Sequence, residues 1–343
     1  MPVGPARSPA PVDQPSSGDP SSPAGRPTVL LTSAIHPQWT AELAGHCEVV
    51  LAPDAAPATL RRLIGPAQGL IVRNALPADL FEHAPRLRAV VRHGVGLDMI
   101  PVEAASARGI AVANLPGSNT TAVVEYCVAA MLHLRRDLAG IDARLRGAGW
   151  SAARPLADSG AELAQGVIGV VGVGAIGSRL AQVAAGLGMR VIGLTRRPAS
   201  LPAGVVAVDK PTLFAQADVV VLCCPLNDQT RGLVDAATVG AMKPGALLIN
   251  VSRGPVIDTA AVLEALRQGR LGGAALDVHD HQPLAGTEAV FDCPRLLLTP
   301  HIAGVTATSL QAMSRGAVQT LLALLGGERP PNVVNPEVFA RQG

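Results

Sequence analysis

The sequence predicts an α/β protein with parallel sheets, and three observations support this. Short apolar runs typical of buried strands alternate with segments typical of helices along nearly the whole chain. Residues 167–194 combine an apolar strand, a glycine turn, an amphipathic helix and a second strand, which is the pattern of a dinucleotide-binding βαβ unit. The length of 343 residues allows two domains of ordinary size, each with its own core.

The glycine turn predicts a cofactor site. Gly172 permits the tight turn, Gly174 lets the backbone approach a pyrophosphate, and Gly177 lets the helix pack against the strand. The helix then begins at Ala175 and Ile176, where free N–H groups and the positive end of the dipole favour phosphate. Glycines often only mark a turn, but the strands on both sides of this one favour the cofactor interpretation.

The residues that end the second strand indicate which cofactor binds. An NAD site usually carries a carboxylate here to bind the ribose 2′-hydroxyl. This chain has Thr195, Arg196 and Arg197 instead. A guanidinium binds a 2′-phosphate that a carboxylate would repel, so the sequence predicts NADP, with NAD as the alternative. A solvated basic turn is the simpler explanation of the same residues.

Composition restricts the remaining function classes. The chain is 48% hydrophobic and 16% charged with a net charge of +2, which favours a globular protein and gives no basis for nucleic-acid or membrane binding. One Tyr, two Trp and four Phe supply no platform for stacking bases. The five cysteines lack metal-ligand spacing, so we predict no metal and reduced thiols in a cytoplasmic protein.

The first 27 residues differ from the rest. They are rich in Pro, Ser, Gly and Ala and contain little that a core could bury, so they are predicted to be a disordered tail. They lack the apolar centre of a secretory signal, and a transit peptide would be expected to carry more arginine.

Apolar runs predict four strands in the first part of the chain: residues 29–31, 69–72, 88–91 and 109–113. The third strand leads into Arg92–Asp98, a loop of mostly small residues that could hold a carboxylate on its N–H groups or simply form a tight turn. A long helix from about Thr121 to Arg146 is then predicted to carry the chain into the second domain, followed by a loop at residues 147–160.

After the glycine motif, four more strands are predicted: residues 219–222, 246–251, 274–278 and 296–301. Polar or charged residues follow each of them. Parallel strands open onto one crevice at their carboxyl ends, so Arg253, Asp277 and His301 are predicted to converge near the nicotinamide. Further cofactor contacts are predicted at Cys224, Pro225, Thr230, Val251 and Gly304.

Six motifs occur in the order found in one family: Gly94–Asp98, Asn114–Glu125, Gly172–Gly177, Asn250–Gly254, Leu276–Val278 and Thr299–Gly304. From Thr28 to about Pro336, the chain resembles the D-isomer-specific 2-hydroxyacid dehydrogenases. The resemblance implies two doubly wound, Rossmann-like parallel-sheet domains separated by a cleft. It assigns residues 28–118 plus 305–336 to a substrate-binding domain, residues 119–304 to a dinucleotide-binding domain, and residues 337–343 to a tail.

The resemblance also implies residue roles. Arg253 would bind the substrate's carboxylate and keto oxygen, the N–H groups of Val95 and Gly96 would hold the carboxylate, and His301 would protonate the carbonyl oxygen. These roles suit the chemistry, because hydride addition to a ketone builds negative charge on oxygen. The substrate's side chain would contact residues near Asn74, and the substrate itself would be a small 2-oxoacid such as glyoxylate or hydroxypyruvate.

One position departs from the family pattern. The family usually has a glutamate five residues after the aspartate of the Leu-Asp-Val motif, and here that position is Gln282. Glutamine can orient His301 but supplies no charge to favour the imidazolium. We therefore expect His301 to titrate lower than in the usual enzymes of the family, with ketone reduction fading at a lower pH.

Two alternatives follow from the same residues. Formate dehydrogenases, a branch of the family, also have glutamine at this position, because hydride loss from formate needs no proton transfer. A nucleotide-sensing interaction protein on the same scaffold is the other, although Arg253 and His301 favour an enzyme. The resemblance further implies a homodimer formed through the cofactor domain and the helix after Thr121.

Overall fold

The computed structural model describes residues 25–341. Most of the predicted disordered tail therefore lies outside the described residues. Gly25–Pro27, the described part of it, form neither helix nor strand.

Twelve strands are present in the described residues: β1 Thr28–Leu31, β2 Glu48–Leu51, β3 Gly69–Val72, β4 Ala89–Arg92, β5 Ala111–Ala113, β6 Val167–Val171, β7 Arg190–Leu194, β8 Val205–Ala207, β9 Val219–Leu222, β10 Ala246–Asn250, β11 Leu271–Leu276 and β12 Leu296–Leu298. The α-helices are α1 Pro37–His46, α2 Pro57–Ile64, α3 Val102–Ala107, α4 Thr120–Arg136, α5 Leu138–Ala148, α6 Trp150–Ala153, α7 Ala175–Gly186, α8 Lys210–Gln216, α9 Ala236–Ala241, α10 Thr259–Arg267 and α11 Ala307–Leu325.

The strands form two sheets, and neighbouring strands in both are parallel. The first sheet has the order β2-β1-β3-β4-β5, and the second has the order β12-β11-β10-β9-β6-β7-β8. In the second sheet the chain runs outward from β6 to β8 and then returns to place β9 on the other side of β6. Such a reversal opens a crevice at the carboxyl ends of the central strands, where open α/β sheets bind ligands.

Both sheets are buried on both faces, which explains why their strands are continuous apolar runs. In β1, Val29 and Leu31 pack on one face, while Leu30 packs on the other. In β6, Ile168 and Val170 face α4 and α7, and Val171 faces the opposite core. The predicted α/β fold with parallel sheets is therefore confirmed.

The first sheet receives its last helix from the end of the chain. Met313, Val318 and Leu321 of α11 pack into the same core as Val29 and Ile71. A 3₁₀ helix at Pro336–Arg341 follows and buries Val338 completely. The prediction of a tail from residue 337 is therefore wrong for residues 337–341, because the apolar side chain in this segment completes the core.

The long helix predicted from Thr121 to Arg146 is divided in two. Asp137 adopts a left-handed conformation (φ 43°) between α4 and α5, and its Oδ1 accepts a hydrogen bond from Gly140 N at 3.3 Å. Aspartate tolerates this conformation and caps the next helix, so the chain turns here. The segment predicted as a loop at 147–160 contains α6 and a 3₁₀ helix at Arg154–Ser159.

Two strands were not predicted from the sequence. β2 and β8 lie at the edges of their sheets and are only partly buried. Both are short apolar runs (residues 49–51 and 205–207) that the sequence analysis did not assign as strands. Among the described helices, none has the length and apolar character needed to cross a membrane.

Candidate active site

The three motif glycines occupy distinct environments after β6. Gly172 has a φ of 90°, and a Cβ there would lie 2.7 Å from the backbone N and Cα of Cys224. A Cβ on Gly177 would lie 2.3 Å from the carbonyl oxygen of Gly172. Gly174 differs, since a Cβ there would meet nothing within 4 Å. Gly172 and Gly177 are thus required by packing, and Gly174 borders open space.

That open space lies at the N-terminus of α7, which begins at Ala175 and continues through Ile176. Gly174 occupies the N-cap and provides no side-chain hydrogen bond. The first N–H groups of a helix have no partner within the helix, so those of α7 are available to an anion. The residues present fit a dinucleotide pyrophosphate.

The basic turn after β7 is also available to a ligand. The hydroxyl of Thr195 accepts a hydrogen bond from Arg197 N at 3.1 Å, which fixes the turn. Arg196 and Arg197 are exposed, and their guanidinium groups form no ion pair or hydrogen bond with another residue in the range 25–341. This arrangement suits the 2′-phosphate of NADP.

The loop after β9 is closed by local hydrogen bonds. Thr230 Oγ1 donates to Pro225 O at 2.7 Å, and Ser252 Oγ donates to the carbonyl of Cys224. Burial raises the pKa of the Cys224 thiol, and it raises the pKa of Cys223 to about 12. Both thiols are therefore protonated at neutral pH, and they pack with the apolar cores of the second sheet.

Arg253 is positioned by the turn after β10. The side chain of Asn250, fully buried, accepts from Ser252 N at 3.0 Å and donates to Arg253 O at 2.9 Å. Val251 lies between them, with its N–H bonded to Leu222 O at 3.3 Å. A buried polar side chain with both ends satisfied holds a loop firmly. The sequence analysis missed this role of Asn250.

The Arg253 side chain extends across the cleft to the first sheet. Its Nε donates to Asp98 Oδ2 at 3.0 Å, and its Nη2 donates to Asp98 Oδ1 at 2.7 Å. A Cβ on Gly96 would lie 1.8 Å from Nη2, so only glycine admits the guanidinium at this position.

Carbonyl groups of the loop after β4 accept hydrogen bonds from two side chains, which fix the loop. Arg92 Nε donates to Gly96 O at 3.2 Å, and Asn114 Nδ2 donates to Val95 O at 2.7 Å. The N–H groups of Val95 and Gly96 form no hydrogen bond with any residue between 25 and 341. Their free donors match the predicted carboxylate site. Burial lowers the pKa of Arg92 to about 10, so this arginine is charged at neutral pH.

Asn74 lies on the same side of the cleft. Its Oδ1 accepts hydrogen bonds from the hydroxyl groups of Thr32, at 3.2 Å, and Ser33. The amide NH₂ group has no partner in the described part of the chain, so it can donate to a ligand.

His301 is oriented by Gln282. The Nδ1 of His301 lies 2.9 Å from Gln282 Oε1, while Gln282 Nε2 approaches His279 O at 3.5 Å. The glutamine amide thus presents its oxygen to the imidazole, which places a proton on Nδ1 and leaves Nε2 for the substrate. Burial and the charge of Arg253 lower the pKa of His301, although Asp277 acts in the opposite direction.

Asp277 supports the loop that carries His301. Its carboxylate, 1% exposed, accepts from Thr299 Oγ1 and Ile302 N at 2.7 Å and from Ala303 N at 2.9 Å. His301 itself has a φ of 59°, a strained conformation that these contacts maintain. The sequence analysis placed Asp277 at the nicotinamide, whereas its contacts within the chain are with this loop. Gly304, just beyond, packs against Asn119.

Comparison with known proteins identifies the family. Residues 128–303 match the family described as D-isomer specific 2-hydroxyacid dehydrogenase, NAD binding domain. The chain belongs to the D-isomer-specific 2-hydroxyacid dehydrogenases. It is 36% identical to a glyoxylate reductase from Thermococcus litoralis over 78% of this chain and 83% of that protein. It is 33% identical to a glyoxylate reductase from Aeropyrum pernix over 91% of this chain and 97% of that protein.

A solved relative has the same fold. An NADPH-dependent glyoxylate/hydroxypyruvate reductase from Sinorhizobium meliloti, in complex with NADP and malonate, superposes with a TM-score of 0.83 at 30% identity. The match covers 91% of this chain and 98% of that one. The predicted family and enzyme class are confirmed: this chain is an NAD(P)-dependent 2-hydroxyacid dehydrogenase.

The geometry explains how this dehydrogenase is built. Loops at the carboxyl ends of the two sheets supply Arg253 and His301 from one side and the Val95–Gly96 backbone from the other. Sequence reasoning found these groups from their position after strands. It missed Asp98 and Asn250, which hold Arg253, because a carboxylate and an amide near strand ends have many possible partners.

Proposed function

We propose that this dehydrogenase reduces small 2-oxoacids, such as glyoxylate or hydroxypyruvate, with NADPH as the preferred donor. The observation that carries the proposal is the meeting of three groups at one cleft: the free N–H groups of Val95 and Gly96, the guanidinium of Arg253 and the imidazole of His301. The first two suit a carboxylate and a keto oxygen, and the third suits proton transfer.

The chain's own residues have separate tasks in this reaction. Val95, Gly96 and one edge of Arg253 would hold the 2-oxoacid, and Asn74 would donate to its other end. The bound nicotinamide supplies or accepts the hydride. Negative charge that develops on the keto oxygen would be stabilised by Arg253 and neutralised by a proton from His301 Nε2. Gln282 would keep the imidazole in the orientation that this transfer requires.

Three features support the proposed cofactor contacts. Gly172, Gly174 and Gly177, with Ala175 and Ile176, would form the pyrophosphate site. The turn Thr195–Arg197 would bind the 2′-phosphate, because its two guanidinium groups have no competing partner in the described range. The remaining contacts are proposed at Cys224, Pro225, Thr230, Val251, Asp277 and Gly304, in the segments that follow β9 to β12.

A second candidate is the oxidation of formate. The specific observation in its favour is that Gln282 is hydrogen-bonded to His301, where the family usually has a glutamate. Formate oxidation releases carbon dioxide and moves no proton to or from the carbonyl oxygen, so a neutral partner suffices. Formate-dependent reduction of NADP⁺ or NAD⁺, with no activity toward oxoacids, would select this function.

We further propose a homodimer and a cytoplasmic location. None of the residues of α5 is buried, and Leu138 and Trp150 are 63% and 73% exposed. A second copy of the chain would cover this surface, which follows directly after α4. The five cysteines are unpaired, as in a reducing compartment.

We also propose that residues 28–118 with 305–336 act as the substrate domain and residues 119–304 as the cofactor domain.

The test is the oxidation of NADPH and of NADH by the purified protein with glyoxylate, hydroxypyruvate and phenylpyruvate. We expect turnover that prefers NADPH and the two smaller acids. The His301→Ala variant is the matched control, and it should retain NADPH binding while losing most turnover. Cofactor binding without turnover of any oxoacid or formate would refute a catalytic function for this site.

A further inference from the structure

The carboxylate of Asp98 forms a two-pronged ion pair with Arg253. Asp98 follows β4 of the first sheet, and Arg253 follows β10 of the second, 155 positions later in the chain. Among the ion pairs of residues 25–341, this is the one that joins the two sheets. Paired Nε and Nη2 contacts fix the plane of a guanidinium as well as its position.

A third contact holds Arg253 from its own side of the cleft. Nη1 donates to the carbonyl oxygen of Ser252 at 2.6 Å. A guanidinium has five N–H donors, of which these contacts use three. One N–H on Nη1 and one on Nη2 remain without a partner in the described part of the chain, enough for two hydrogen bonds to a bound oxoacid.

The position of Arg253 requires a nearby negative charge. Arg92 also reaches the loop, with Nε 3.2 Å from Gly96 O, and the guanidinium of Arg253 lies against the same glycine. Two cations so close repel each other. Burial raises the pKa of Asp98, but the hydrogen bonds and charge of Arg253, together with Arg92, outweigh it and the pKa lies below its usual value. Asp98 is therefore anionic at neutral pH and offsets the repulsion between the two cations.

We propose that Asp98 is a positioning residue: it holds the guanidinium of Arg253 over Gly96, with two N–H groups directed at the oxoacid. The inference rests on the proposed role of Arg253 in substrate binding. Without Asp98, Arg253 would lose two hydrogen bonds and move away from Arg92, and the keto oxygen would lose its oriented donor.

Asp98 also acts on the proton donor. The charged groups that affect His301 are Arg253 and Arg92, which lower its pKa, and Asp277 and Asp98, which raise it. The direct partner of the imidazole, Gln282, is neutral. Removal of the Asp98 charge therefore moves the pKa of His301 further down. This effect is electrostatic, and it adds to the loss of the hydrogen bonds that hold Arg253.

The test compares Asp98→Asn with Asp79→Asn. Asp79 forms a similar two-pronged pair with Arg61, at 2.9 Å from both Nε and Nη2; Arg61 lies on α2, and Asp79 precedes the 3₁₀ helix at Leu80–His83. For Asp98→Asn we expect at least a tenfold loss of kcat with glyoxylate, a dissociation constant for NADPH within twofold of wild type, and an alkaline limb at lower pH. Asp79→Asn should match wild type in all three.

A second variant keeps the test decisive if Asp98→Asn folds poorly. Asp98→Glu retains the charge but is one methylene longer, so it should lose part of kcat and keep the wild-type pH limb. A wild-type kcat in Asp98→Asn would overturn the proposal, as would a loss of kcat with no change in the pH limb, or an altered limb in Asp98→Glu. Absence of turnover in the wild-type enzyme would instead refute the proposed function.

Discussion

Replacement of Gln282 by glutamate changes the charge of the group that touches His301. The wild-type partner, Gln282, is neutral, with its Oε1 2.9 Å from His301 Nδ1, and burial and the charge of Arg253 lower the pKa of the imidazole. A carboxylate at the same place would favour the imidazolium. Because oxoacid reduction requires the protonated histidine, Gln282→Glu should extend reduction to higher pH.

The size of the shift follows from the distance. Opposite charges about 4 Å apart attract with about 1 kcal/mol in water and about 4 kcal/mol at a dielectric constant of about 20. His301 is open to the cleft, so the lower part of this range applies. With 1.36 kcal/mol per pKa unit, we expect the pKa to rise by about 1 to 2 units.

The assay is the pH dependence of kcat/KM for glyoxylate reduction, measured for wild type and Gln282→Glu. Above both pKa values, the variant should retain a protonated fraction of His301 that is about 10 to 100 times larger. Oxidation of the 2-hydroxyacid needs the neutral imidazole, so its acidic limb should move upward by the same amount. Superimposable profiles for the two enzymes would refute the proposed coupling between residue 282 and His301.

Four further variants address the other proposed contacts and the packing of the glycine turn. Alanine at both Arg196 and Arg197 should weaken NADPH binding at least tenfold in a fluorescence titration and leave NADH binding unchanged, since only the 2′-phosphate is affected; equal losses for both cofactors would contradict this. Gly177→Ala should destabilise the fold by about 1–3 kcal/mol in urea unfolding, because its Cβ would lie 2.3 Å from a backbone oxygen. Gly174→Ala should leave the free energy of unfolding unchanged but reduce NADPH affinity at least tenfold. A loss of stability instead would show that packing, and not cofactor binding, requires this glycine. Arg253→Lys should reduce kcat/KM about 100-fold, as expected for the loss of an oriented two-pronged donor, and a loss under fivefold would argue against its role.

The central strands and the glycine motif could be predicted because burial on both faces leaves a continuous apolar signature. The edge strand β8 is also apolar in sequence, but it is three residues long and mostly exposed, so its run is hard to tell from an apolar loop segment. The division of the helix at Asp137 was also missed. Its sequence is compatible with a continuing helix, and the left-handed turn depends on a single residue whose side chain caps the next helix.

The site was predictable only in part, because some of its contacts join segments that are distant in the sequence. Arg253 and His301 follow strands that must open onto one crevice, so their convergence follows from topology. What fixes them is a set of contacts between distant segments: Asp98 with Arg253, and Asp277 with the backbone of Ile302 and Ala303. Such pairs depend on how two sheets face each other, which no local pattern specifies.

Burial separates the groups that maintain this site from those available to a ligand. Asn250 and Asp277 are almost completely buried, and the hydrogen bonds of each are made to loops of the chain. A buried polar group that loses its partners costs about 1–3 kcal/mol, so these side chains keep their loops in one conformation. By contrast, two N–H groups of Arg253 and Nε2 of His301 have no partner among residues 25–341. The donors are thus oriented before an oxoacid arrives, which reduces the reorganisation needed at the moment of reaction.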